Sequence, residues 1–366
     1  PEFITSDSPT QRIGGEPLKE FQKVRHETPM LSFNDAFSKE DMWDWLKRLE
    51  NYLGRKIKES ECTFFCELKI DGLAIELEYE NGVLTRGSTR GNGLIGEDVT
   101  HNVKTVEAIP LKLELGIRNK ALEVPKKLIV RGEVFLTKKE FERINKEQEK
   151  KGDKVYANPR NIAAGSIRQL DPKITASRKL DSFQYDIVGE FGQKLHEDEH
   201  GMLKGLGFKI NADNAHAADL EAVFKFHEYW AKHREKLPYE VDGIVVIVNN
   251  NKDFDDGGVI GKAPRAAIAY KFAAREATTI IEDIQVQVGR TGVLTPVAVL
   301  KPVSVSGVTI SHATLHNADE IKRLDARVGD TVIVSRAGDV IPKILKVLKD
   351  LRPRGAKEFE MLKKCP

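Results

Sequence analysis

The sequence predicts an α+β domain followed by a small closed β-barrel. Three observations carry that prediction. Strand-like runs of alternating or β-branched residues recur from Phe64 onward, without the regular strand–helix alternation of a βαβ fold. Asn81-Gly82 lies between two such runs, LAIELEY and VLTRG, which is the strongest short signal for a hairpin. From about Thr278 to Val347, short β-rich runs succeed one another with Gly or Pro between them, and helical spacing survives only near Asp319 to Leu324.

Along the chain, the first twenty residues are rich in Pro, Ser, Thr and Gly and poor in large apolar residues, as in a linker or a severed end. A helix begins at Ser38, where Ser38 and Asp41 form a capping-box pattern. Met42, Trp45, Leu46, Leu49 and Leu53 then recur at helical spacing. FFCELKI, LAIELEY, VLTRG, KLIVRGEVFL, FQYDIVG, GIVVIV and AIAYKF read as strands. Lys138 to Lys151 alternates both charges as a solvated helix face does, and Asp219 to Arg234 is a second amphipathic helix. The runs IIEDIQVQVG, VLTPVAVLKPV, VTISHATL and DTVIVSRAGDVIPKILKV suit a barrel of about 75 residues, with an oligonucleotide-binding barrel the leading candidate. After Leu351 the chain reads as a connector.

Composition narrows the class. The chain has 366 residues, 40% hydrophobic and 31% charged, as in ordinary globular proteins. No apolar stretch approaches the ~20 residues of a membrane-spanning helix, and no signal peptide is visible, so a membrane partner is not expected. Three cysteines cannot build a disulfide framework, which favours a reducing cytoplasm. The net charge of +2 conceals segregation: Arg131 to Leu180 holds 13 basic and 7 acidic residues, a surplus of six, so the remainder has a deficit of four. Such a segment can serve a nucleic acid although the whole chain is nearly neutral. Arg160 and Arg168, in the Gly/Asn/Ser-rich stretch ANPRNIAAGSIR, are its strongest candidates.

The most informative chemistry lies in Cys66-Glu67-Leu68-Lys69-Ile70-Asp71-Gly72. Period 2 puts Glu67, Lys69 and Asp71 on one face of a strand and Cys66, Leu68 and Ile70 on the other. Three charges on one face of an apolar strand are costly unless that face lines a polar site, although an exposed ion-pair ladder accounts for the heptapeptide equally well. Four further charged residues lie in or beside apolar or glycine-rich segments: Arg90 in RGSTRGNG, Glu133 in VRGEVFL, Asp242 before GIVVIV, and Lys271 in AIAYKF. Their recurrence points to a cleft with convergent polar groups and Lys69 as a nucleophile.

Lys69-Ile70-Asp71-Gly72, Arg131-Gly132-Glu133 and Lys271 resemble the motif set of the covalent nucleotidyltransferases. The finer resemblance is to bacterial NAD+-dependent DNA ligases. It is carried in order over nearly the whole chain by SPTQRIGG, HETPMLSFNDAF, CELKIDGLA, TRGNGLIGEDVTHNV, RGEVF, ANPRNIAAGSIRQLD, VGRTGVLTPVA, ATLHNADEI and RAGDVIPKI. The resemblance implies an ATP-grasp-like adenylation domain with antiparallel and mixed sheets, followed by an OB-fold barrel. It implies that Lys69 takes AMP from NAD+, passes it to the 5′-phosphate of a nick, and that the 3′-hydroxyl then seals the strand, in DNA replication and repair. Mg2+ near Asp71 and Glu133 would neutralise charge. Glu67 and the backbone at Ile70 would recognise adenine, and Tyr185 would stack on it, although FQYDIVG by itself reads Tyr185 as a core residue. Arg90 and Glu133 would hold the ribose, Ser32 would border the pocket, and Asp71 and Lys271 would flank the α-phosphate. Arg160, Arg168, Arg290, Thr291 and Arg336 would contact the backbone of nicked double-stranded DNA, with Val340 and Ile341 pressed into the minor groove. The resemblance also implies a monomer in the bacterial cytoplasm, associated with the nucleoid.

Three departures from the family pattern bear on these expectations. Ile247 stands where these ligases usually carry a lysine, so one phosphate-facing cation is missing. Residues 1–20 read as the linker from a front domain that would grip nicotinamide mononucleotide, and weak self-adenylation is expected without that domain. Residues 21–275 then form the nucleotidyltransferase domain, 276–350 the barrel, and 351–366 a connector to a zinc module. Cys365 alone cannot hold structural zinc, so none is expected. His196-Glu197-Asp198-Glu199-His200 fits the zinc-peptidase pattern, but its polar surroundings favour a solvated loop. Cys62 and Cys66 read as strand residues. The rival functions are an ATP-using polynucleotide ligase or capping-type transferase, and a non-catalytic DNA-binding remnant.

Overall fold

In the computed structural model, the residues described are 12, 18–57, 60, 63–113, 125–156, 158–273, 275–289, 292–305, 308–336 and 342–361. The chain divides after Phe272 into two units. Two sheets frame the first. One has five strands in the order Asp35–Ala36, Ala267–Lys271, Val241–Val248, Phe64–Ile70 and Ala215–Ala217. Its pairs are antiparallel except that Asp35–Ala36 runs parallel to Ala267–Lys271. The other has four antiparallel strands in the order Val83–Thr89, Leu73–Glu80, Lys127–Phe135 and Asp181–Val188.

Alternation decides which side of each sheet is apolar. Cys66, Leu68 and Ile70 pack with Ile244 and Val246 against Met42, Trp45 and Leu49 of the Lys39–Leu53 helix, as well as Val223 and Phe224 of the Leu220–His233 helix. Ser38 caps the first helix with the expected box, its hydroxyl accepting from the Asp41 amide while the Asp41 carboxylate accepts from the Ser38 amide. In the second sheet, Ile75, Leu77, Val130 and Val134 form the core with Ile144, Ile162 and Leu203 of three helices, Lys138–Lys151, Pro159–Ile167 and His196–Gly205. Asn81 and Gly82 take positive φ values of 49° and 78°, as the tight hairpin between Leu73–Glu80 and Val83–Thr89 requires.

Of two further segments, one goes beyond the sequence expectation and one differs from it. The ANPRNIAAGSIR stretch is helical over Pro159–Ile167, because Asn158 accepts from the Asn161 amide and Pro159 occupies the first turn. His196 to His200 is not a solvated loop but opens a helix whose His200 and Leu203 are buried.

The second unit is a closed five-stranded barrel in the order Arg275–Val288, Leu294–Val305, Val308–Thr314, Lys343–Val347 and Thr331–Arg336, sealed by pairing of its first and last members. The short helix Ala318–Leu324 lies close to the span its spacing predicted. Among the described residues no helix is long and apolar enough to cross a membrane.

Candidate active site

The polar face of the Phe64–Ile70 strand and the facing edge of the four-stranded sheet line a cleft of about 1780 Å³. That exceeds the ~300–1,000 Å³ of a drug-sized site and leaves room for a dinucleotide. Register aligns its floor. Gly243 lies directly between Lys69 and Lys271, and Val245 lies beside Glu67. A Cβ at Gly243 would stand 2.5 Å from the Tyr270 carbonyl oxygen, so the strands meet there only around glycine. Gly72 is under the same constraint, since its Cβ would lie 2.4 Å from the Val134 carbonyl oxygen and 2.8 Å from the Glu133 side chain.

Two β-bulges aim side chains that regular pairing would place elsewhere. In the first, Ile70 faces Val241 and Lys69 faces Gly243, which makes Asp242 the extra residue. Its Oδ2 accepts from Lys271 Nζ at 2.5 Å, and its buried Oδ1 lies 3.6 Å from Lys69 Nζ. Lys69 and Lys271 thus share one carboxylate. In the second, Arg131 faces Asp186 and Gly132 faces Gln184, leaving Tyr185 as the extra residue. Tyr185 is therefore a half-buried wall of the cleft rather than core, with burial raising its phenol well above the ordinary value.

Ser32, Glu67, Ile70, Arg90, Glu133, Arg160 and Arg168 line the cleft. Asp71 follows the strand's last residue in a bend, and Arg160 Nη1 donates to its carboxylate at 3.2 Å. Arg336 ends its strand paired with Arg275. Cys62, Arg290, Thr291, Val340, Ile341 and Cys365 lie outside the described residues. Burial pushes the Glu133 carboxyl up to about 7, against the pull of Lys69 and Arg160, and neighbouring Asp71 adds to the rise. Burial also pushes the Cys66 thiol up on the opposite, apolar face.

Three features escaped sequence reasoning. Asp242 was visible as a charge before an apolar strand, but its bulge was not. Glu67 accepts hydrogen bonds at one oxygen, Oε1, from His196 Nε2 at 2.9 Å and His200 Nε2 at 2.7 Å. Burial alone would raise the Glu67 carboxyl, yet the imidazoles outweigh it and hold it at about 2. Burial would lower His196, and its bond to Glu67 instead raises it to about 9. Third, Glu76 takes His26 Nδ1 at 2.7 Å and Arg131 Nε at 2.9 Å. His26 Nε2 lies 3.2 Å from the Arg90 carbonyl oxygen, and Arg131 donates to the Thr28 carbonyl at 2.6 Å. This buried network pins the HETP segment and the Arg90 loop to the sheet.

Its pH dependence follows from the shifts. Glu76 raises His26, so that contribution is complete below the unfolded value of about 6.5 and fades as pH rises through the higher folded value. Burial opposes ionisation of Glu76, but His26 and Arg131 lower it. That contribution is complete above about 4.5 and fades as pH falls through the lower folded value. The stability difference between wild type and His26→Ala should therefore peak between about pH 4.5 and 6.5, at about 1–3 kcal/mol for a buried charged hydrogen bond. Thermal unfolding across pH 4 to 9 measures it; a difference constant with pH would show that the His26 charge contributes nothing.

A five-stranded sheet bearing a cleft lysine, a four-stranded sheet facing it and a closed barrel give the chain the architecture of a nucleotidyltransferase domain followed by an OB-type barrel. Comparison with known proteins sharpens that class. The profile of the NAD-dependent DNA ligase adenylation domain matches residues 18–275, and that of the NAD-dependent DNA ligase OB-fold domain matches residues 278–356. The chain belongs to the NAD-dependent DNA ligase family. It is 46% identical to the DNA ligase of Shouchella clausii (strain KSM-K16) and 47% identical to that of Halalkalibacterium halodurans, over 368 residues in each case. Both alignments cover 100% of this chain and 53% of the relative, so the chain spans about half the length of these curated relatives.

Proposed function

We propose that this chain carries the nucleotide-transfer and strand-sealing chemistry of an NAD+-dependent DNA ligase, with Lys69 as the covalent nucleophile and nicked double-stranded DNA as substrate. The observation that carries this reading is the pairing of Lys69 and Lys271 across Asp242 in a cleft large enough for a dinucleotide. Lys69 Nζ attacks the α-phosphorus of NAD+; a P–N bond forms, and the bond to nicotinamide mononucleotide breaks with its electron pair. Asp242 Oδ1 stands 3.6 Å from Nζ, where it can take the proton the amine sheds. AMP passes to the 5′-phosphate of the nick, and the 3′-hydroxyl displaces it. Little beyond positioning and charge neutralisation is asked of the protein.

Glu67 and the Ile70 backbone would then address adenine, Tyr185 its ring face, Arg90 and Glu133 the ribose, and Ser32 the pocket rim. Asp71 and Lys271 flank the α-phosphate, while Arg160 and Arg168 extend the cationic lining toward the nick. Mg2+ fits Asp71 and Glu133: two carboxylates close enough for Asp71 to raise Glu133 gain from a hard cation with oxygen ligands. Bound there, it would neutralise phosphate charge.

Incubation with NAD+ or ATP labelled in the adenylate moiety tests the reading. Label should reach Lys69 from NAD+, and label from ATP alone would overturn it. Position 247 offers a second measurement. Ile247 is 5% exposed in a small apolar cluster with Val245 and Ala267 against Phe33 and Phe254, yet it borders the cleft. Ile247→Lys should speed single-turnover self-adenylation by about tenfold or more by restoring a preorganised cation, at about 1.5–3 kcal/mol of lost packing. An unchanged rate in a folded variant would show that Lys271 suffices.

A further inference from the structure

We propose that Glu67, His196 and His200 form a binding site for a divalent transition metal, with Zn2+ the best-matched ion. His196 and His200 are four residues apart on one helix and turn the same face toward the lysine strand. Their Nε2 atoms converge on a single oxygen of Glu67, and the three donor atoms lie within 4.8 Å of one another. Zn2+ binds imidazole nitrogen at about 2.0–2.1 Å and carboxylate oxygen at about 2.0–2.2 Å, which separates tetrahedral ligands by roughly 3.3 Å. Loss of the imidazole protons and a small outward movement of the rings would open that space.

The surroundings suit a metal better than a simple ion pair does. One carboxylate oxygen receives both histidines. His196 Nδ1 lies 3.7 Å from Glu199 Oε2, the carboxylate backing that orients a metal-bound imidazole. Phe65 packs against both rings, with centroids 5.7 and 4.9 Å away, and dries one side. Two nitrogens and one oxygen select Zn2+, Co2+ or Ni2+ over Mg2+ or Ca2+. Glu67 and His196 border the cleft, so a fourth position opens toward it. This is not a zinc-peptidase centre. Glu197, which would be the base in that pattern, instead faces His216 at 3.8 Å, and the third ligand comes from a strand 129 residues before His196. A metal here occupies Glu67, so it competes with an adenine nucleotide; that consequence rests on the role proposed above for Glu67.

The test titrates Co2+ and then Zn2+ into the full 366-residue chain after chelation. Wild type should bind one ion and show the visible absorption of four-coordinate Co2+, displaced by Zn2+. His196→Ala and His200→Ala should each weaken binding by at least about tenfold, while His233→Ala, altering a half-buried histidine at the end of another helix, leaves it unchanged. X-ray absorption of the wild-type Zn2+ complex needs no variant and should show two imidazole nitrogens at about 2.0–2.1 Å. Absence of one-to-one binding, an all-oxygen shell, or affinity indifferent to both histidines in folded variants would overturn the site. AMP should weaken Co2+ binding. If metal binds as described and AMP has no effect, the metal site stands and the adenine role of Glu67 falls.

Discussion

Lys69→Ala is expected to abolish covalent labelling by NAD+, a fall of at least about a thousandfold, while sealing of a nick that already carries 5′-AMP persists. The asymmetry follows from the atoms involved. Only the first step forms a bond to Nζ; the last joins a 3′-oxygen to a phosphorus activated by its AMP leaving group. Alanine at position 69 leaves Asp242 held by Lys271 at 2.5 Å, so no buried charge is stranded and the strand pairing with Val241–Val248 survives. Mass spectrometry after incubation with NAD+ measures the first half, and a gel assay on a pre-adenylated nick the second. Equal loss of both would mean that Lys69 serves chiefly to hold the cleft together. Retained labelling in the variant would move the nucleophile elsewhere.

Asp330→Ala should cost the barrel about 3–5 kcal/mol, because it breaks a buried, charged network from one side. Asp330 is fully buried at the start of the Thr331–Arg336 strand. Its carboxylate accepts from Arg352 Nε at 2.7 Å and Arg352 Nη2 at 2.9 Å, and from the Arg327 backbone amide at 2.9 Å. Arg352 also donates to Asp325 at 2.8 Å, so the network ties the segment after Lys343–Val347 to the turn before Thr331–Arg336. Alanine would leave an amide and part of a half-buried guanidinium without their shared partner. In a unit of this size a loss of 1 kcal/mol lowers Tm by about 4–8 °C, so a fall of about 12 °C or more is expected in the transition of residues 273–366. Asp330→Asn, which keeps an acceptor, should lose about 1–3 kcal/mol. A fall below about 4 °C for alanine would show that Arg352 re-solvates at little cost. Calorimetry on the whole chain separates the two outcomes.

Local pattern carried much of this protein. The capping box at Ser38, the Asn81-Gly82 hairpin, the charged period of Glu67 and Lys69, and the closely punctuated strands of the barrel are each written within a few residues. The Pro159–Ile167 helix was equally local in its cause, an Asn cap followed by Pro, but its small polar residues masked the period. What stayed hidden depended on partners far apart. His26 meets Glu76 across 50 residues and Arg131 meets it across 55, while His200 meets Glu67 across 133.

By itself the sequence determined which faces are apolar, where turns fall and which strand bears the lysine, because side-chain periodicity and backbone preference act over a few bonds. Only the tertiary structure decided what that lysine faces. Strand order and register bring Asp242 and Lys271 beside it, and one-residue bulges turn Asp242 toward the two lysines and Tyr185 into the cleft. The same packing rotates the His196–Gly205 helix so that two histidines meet Glu67. Such placements follow from how whole sheets and helices bury their apolar faces together, which no short stretch of residues encodes.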